Sequence, residues 1–172
     1  MNRVVAARLP PVLLAAVVLH TAVFPDLRLF GVGADVLLLL PVAAGVTAGP
    51  DRGAAVGFVS GLLADCFLRT PFGLSALTGC LVGWSVGRFQ SGVLDGGRWM
   101  PALTALVATA GGVLAFALLG AVLGQDHLLS GRLLTVTAVA ALINAVLSPV
   151  VIRLVGWALA VAPAPDLQLV RR

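Results

Sequence analysis

Within one apolar stretch, Gly49, Gly53, Gly57 and Gly61 recur every four residues, and Asp65 takes the next position. Ser75, Gly79, Gly83 and Gly87 then repeat the spacing. On an α-helix, four-residue spacing stacks positions along one face. Glycine inside a helix costs about 1 kcal/mol relative to alanine in water. Two rows of it are tolerated where a second backbone must come close, as between helices in lipid. An ionisable group at membrane depth is expensive and marks a site or a partner. The rows therefore predict packing faces, and Asp65 marks where to look for function.

Composition agrees with a lipid environment. The chain is 60% hydrophobic and only 10% charged, against roughly 25% charged in soluble domains. Long apolar runs without alternation exclude a barrel and leave helices, which satisfy their own backbone in lipid. The expected fold is an all-α polytopic membrane protein, a compact bundle of six transmembrane helices. The segments fall near 9–24, 32–48, 53–68, 72–87, 101–124 and 133–151. Their breaks carry turn residues such as Gly49-Pro50-Asp51 and Asp95-Gly96-Gly97. Residues 1–162 form one domain on this reading, and 163–172 a flexible cytoplasmic tail. The first segment resembles a signal peptide but is followed by no small-x-small cleavage site, so it is read as a retained helix.

Several segments are short. Sixteen residues span about 24 Å, below the roughly 30 Å of hydrocarbon, so the bilayer thins, the helices extend into the loops, or segments three and four form a re-entrant pair. Proline at 149 is expected to kink the last helix. Orientation follows from arginine. With the N-terminus inside, Arg3, Arg8, Arg52, Arg88, Arg98, Arg153, Arg171 and Arg172 are cytoplasmic, against Arg28, Arg69 and Arg132 outside. That bias places both termini in the cytoplasm of a multi-pass inner-membrane protein.

Polar side chains then gather toward the outer ends of the helices: His20, Asp35, Asp65 and Arg69. Asp35 reads as an N-cap of the second helix. Asp65 lies near a helix C-terminus, where negative charge is disfavoured. It either pairs with Arg69 at i+4 or, with Asp35 and Arg69, shapes an outward-facing polar cluster. His20 reads as a bundle-facing histidine with a hydrogen bond. Asn144, about a dozen residues into the last helix, is expected to make an interhelical hydrogen bond. The small-residue faces are Gly53, Gly57, Gly61, Asp65, Gly79, Gly83 and Gly87, packing against each other or a partner. Cys66 and Cys80 form no CxxC pair and read as buried, inert thiols.

Catalytic templates are missing. There is no Lys, Glu or Tyr, which removes common acid/base groups and the Schiff-base nucleophile. Neither HExxH nor GxSxG occurs. The run Asp95-Gly96-Gly97-Arg98 matches a fragment of a phosphoalcohol-transferase metal motif but lacks its other aspartates, and a Gly-rich turn explains it. The expectation is a non-enzyme with no cofactor and no metal.

The pattern Gly57-x3-Gly61-Leu62-x2-Asp65, followed by Gly73-Leu74-Ser75-Ala76-Leu77, resembles the MreD family of rod-shape-determining membrane proteins. Asp35-Val36-Leu37-Leu38-Leu39-Leu40 looks like that family's second helix, and Asn144-Ala145-x3-Pro149 like its last-helix motif. The resemblance covers roughly residues 9–155. It implies a non-catalytic scaffold of the cell-elongation machinery that binds MreC. MreB, RodA and a class B penicillin-binding protein would be indirect partners in lateral peptidoglycan synthesis. The family is similar in fold to the substrate-binding subunits of energy-coupling-factor transporters, which supplies the alternative function of small-molecule capture.

Overall fold

The computed structural model describes residues 3–20, 35–67, 71–89, 99–125 and 131–159. These are all-helical: α1 (Arg3–Val18), α2 (Val36–Ala48), α3 (Pro50–Asp65), α4 (Leu74–Arg88), α5 (Met100–Val122) and α6 (Leu133–Ala158). α5 and α6, with 23 and 26 residues, are long and apolar enough to cross a membrane. Only 28% of each apolar window is buried. A soluble core helix would hide most of that surface, so these two present their leucines and valines outward.

α2 is the axis of the bundle and packs against all five other helices. Leu39, Val42, Ala43 and Ala44 are completely buried, so the helix is apolar all round. One cluster joins α1, α2 and α6 through Val12, Leu13, Leu37, Leu40 and Val155. A second joins α2, α4 and α5 through Leu39, Val42, Val46, Val86 and Ala105.

The link from α2 to α3 is a single residue. Gly49 adopts φ 86°, ψ −178°, a conformation open essentially only to glycine. Pro50 then opens α3 at its first turn, where its missing N–H costs nothing. Two expectations change here. Gly49 is the turn and not the first rung of a helical row, which starts at Gly53. The third helix begins at Pro50 and ends at Asp65, three residues earlier at both ends than the apolar pattern suggested. α1 likewise begins at Arg3 and its α-helical part ends at Val18, upstream of the 9–24 window.

Proline at 149 does not end α6, which continues to Ala158. A residue with an N–H at 149 would bond the Ala145 carbonyl. The Ser148 hydroxyl donates to that oxygen instead, at 2.8 Å.

α2 and α6 run in step. The Asn144 amide meets the start of α2 at the Asp35 carbonyl, 2.9 Å away. Twelve residues further along both helices, Gly156 faces Thr47. The eleven residues of α6 before Asn144 therefore reach about 16 Å beyond the start of α2. The 13 residues of α2 cover only about 20 Å. Residues 21–34, which precede α2, and the 163–172 tail lie outside the described residues.

Candidate functional site

The two small-residue rows face each other. α3 and α4 are antiparallel, and a Cβ added at Gly53, Gly57 or Gly61 would fall onto the main-chain carbonyls of Gly83, Gly79 and Ser75 in turn. One at Gly79 would lie 2.5 Å from the Gly57 oxygen, and one at Gly87 would meet the Gly49–Pro50 turn. The obstacles are backbone atoms, which cannot rotate away. Gly45 on α2 belongs to the same seam, since its Cβ would lie 2.6 Å from the Gly83 oxygen. The sequence carried that signal, because Gly45 sits four residues before Gly49, but the intervening turn hides that two helices share the row.

Asp65 closes one end of this seam. Its side chain is 4% exposed. Oδ2 accepts from the Gly73 N–H at 2.8 Å and the Ala76 N–H at 3.4 Å, while Oδ1 accepts from the Ser75 N–H at 3.1 Å. These are the otherwise unpaired donors of the first turn of α4. Gly73 reaches the required geometry at φ 98°. A carboxylate at the end of α3, disfavoured by its own helix dipole, thus sits on the positive end of α4. Asp65 is turned into the bundle and is not part of an exposed polar surface. Arg69, its expected partner, lies outside the described residues.

Asp35 and Asn144 form a second polar centre. Asp35 Oδ1 accepts from the Leu38 N–H at 3.1 Å, capping α2. Asn144 is fully buried. Its Nδ2 donates to the Asp35 carbonyl and, at 3.2 Å, to Thr109 Oγ1. One amide therefore ties together α2, α5 and α6. Thr109 carries no sequence signal, being one threonine in an apolar helix. The two aspartates cap different helices, and no hydrogen bond joins them.

The buried Nδ1 of His20 has no hydrogen-bond partner. The expectation of buried thiols is not met. Cys66 is exposed on the bundle surface, with its thiol on the Leu62 carbonyl at 3.4 Å, and Cys80 is partly exposed. Each thiol sits at a position turned away from the glycine seam.

The opposite end of the bundle gathers arginines. Arg8 lies 4.6 Å from the Trp157 ring centroid and reaches that residue's carbonyl at 3.4 Å. Arg88 lies 5.8 Å from the Trp84 ring. Arg52 and Arg153 are exposed in the first turn of α3 and near the end of α6. Arginine on an indole face, with its stem along the helices, suits a membrane–water boundary.

Among the described residues, no group of three or more His, Cys, Asp or Glu side chains could hold a metal. The buried hydroxyls of Ser60 and Thr78 donate to their own helices, at Gly57 and Leu74. The arrangement is that of a helical bundle stapled by main-chain caps, with two helices long and apolar enough to cross a membrane. Comparison with family models, curated proteins and solved structures found no match.

Proposed function

We propose that this chain is a non-catalytic scaffold of the bacterial inner membrane, of the MreD kind, which holds MreC in the cell-elongation machinery. On this reading all six helices cross the bilayer, the short ones in a thinned region, and both termini are cytoplasmic. The arginine end, with Arg8, Arg52, Arg88 and Arg153, supports that orientation.

The observation that carries the reading is the unity of the Gly57…Asp65…Gly73-Leu74-Ser75 pattern. Its glycines let α3 and α4 touch, and its aspartate caps α4. The residues on which the resemblance rests thus serve packing, which suits a protein whose work is to present a surface.

The test is co-purification of the tagged native chain with MreC from its own membranes. Recovery of MreC with the tagged chain is the expected result. A chain that is stably inserted yet recovers no MreC refutes the proposal, and recovery of a transporter coupling subunit supports the small-molecule alternative. Gly61→Leu is unsuitable as a probe of the partner surface, because Gly61 rests on the Ser75 backbone and its replacement tests folding.

A further inference from the structure

The bundle has two apolar thicknesses. α3 and α4 form a hairpin whose length is fixed at both ends. At one end Gly87 lies against the Gly49–Pro50 turn, with Arg52 and Arg88 exposed close by. At the other end Asp65 holds the N–H groups of Gly73 and Ser75. Between these limits α3 has 16 residues and α4 has 15, which is about 22–24 Å of helix. Its outward side chains are apolar, with Phe58 50% and Leu81 47% exposed.

α5 and α6 have 23 and 26 residues, or about 34–39 Å. Their excess lies at one end. Gly156 faces Thr47, so α6 finishes near the Gly49 turn. Gly112 sits against Leu38, near the start of α2, and α5 runs on from there to Val122, about 15 Å further. The start of α6 overshoots α2 by a similar distance. α3, with 16 residues against the 13 of α2, passes the start of α2 by only about 4 Å. The α5–α6 hairpin therefore stands about 10 Å proud of the Asp65 clasp. Its projecting part is apolar and open, with Leu118 60%, Val122 85% and Leu134 77% exposed.

Hydrocarbon is the environment that suits those side chains. A flat bilayer deep enough to cover them would draw the loop after Asp65, whose sequence includes Arg69, into its core. A charged group there is expensive, whereas thinning the bilayer costs little per ångström. We propose that the α3–α4 flank is a lipid-docking surface that selects short-chain phospholipids, so that the bilayer is thin along α3 and α4 and of ordinary depth along α5 and α6. This rests on the reading of the short helices as membrane-crossing and is independent of the partner.

The test places one tryptophan on each flank of the full-length chain. Trp84, Trp99 and Trp157, all exposed, are replaced by Phe, and either Phe58→Trp or Leu118→Trp is added. The protein is reconstituted with dibrominated phosphatidylcholine, which quenches tryptophan on contact, and dimyristoleoyl- or dierucoyl-phosphatidylcholine competes for the surface. At position 58 the short lipid should compete at least about twofold better than the long one. At position 118 the order should be reversed. The same chain-length order at both positions, or preference for the long lipid at position 58, would overturn the inference. So would quenching at 58 without quenching at 118, because the projecting hairpin would then not face acyl chains. Absence of quenching at both positions overturns the membrane-crossing reading, and the inference with it.

Discussion

The same substitution should behave differently at the two aspartates that cap helices. Asp35 uses one oxygen, on the Leu38 N–H. Asp65 uses both, Oδ2 for Gly73 and Ala76 and Oδ1 for Ser75. Asparagine supplies one acceptor oxygen and one NH2 group. At position 35 that oxygen replaces Oδ1 and the cap is kept, so Asp35→Asn should cost no more than a few tenths of a kcal/mol. At position 65 one oxygen must become a donor, whichever rotamer is chosen. Retaining the Oδ2 pair leaves the Ser75 N–H facing another N–H in a buried setting. An unsatisfied buried donor costs about 1–3 kcal/mol, so Asp65→Asn should destabilise by about 2 kcal/mol, and Asp65→Ala by more. The assay is reversible unfolding in mixed micelles, titrated with a denaturing detergent and followed by tryptophan fluorescence. Equal losses at the two positions would refute the argument that Asp65 works through both oxygens.

Further outcomes follow from the same geometry. Gly57→Ala drives a methyl onto the Gly79 carbonyl and should cost about 1–3 kcal/mol or more by overpacking. Gly111→Ala meets nothing within 4 Å and should be neutral or gain up to about 1 kcal/mol of helix propensity; the same unfolding assay ranks them. A double-mutant cycle of Asn144→Ala with Thr109→Val should give a coupling of about 0.6–2 kcal/mol, and zero coupling would remove the α5–α6 tie. Green fluorescent protein fused at either terminus should fluoresce and alkaline phosphatase should stay inactive. An active phosphatase at one end would reverse the proposed orientation of that end.

Much of the architecture was legible because it depends on local spacing. Long apolar runs without alternation require helices, and glycine every four residues requires a face that something approaches closely. Asp35 before a leucine run reads as a cap, and a lone Asn in an apolar helix reads as an interhelical donor. Each inference needs only the geometry of one element. What escaped were relations between elements. The apolar pattern does not register that Gly49 is a turn, because its four-residue spacing continues unbroken across two helices. Thr109 looks like any threonine until α2, α5 and α6 converge on Asn144.

Asp65 shows the division most clearly. Its own helix sets it at a C-terminus, where a negative charge is unfavourable, and the sequence therefore marks it as a functional group or as a partner of Arg69. Only the fold brings the N-terminus of α4 to it, and three main-chain N–H groups turn an unfavourable position into a clasp. The periodicity of a chain dictates which faces its helices have. Which faces meet, and which charges find a dipole of the right sign, is decided by packing between segments distant in sequence, where spacing within any one helix carries no information.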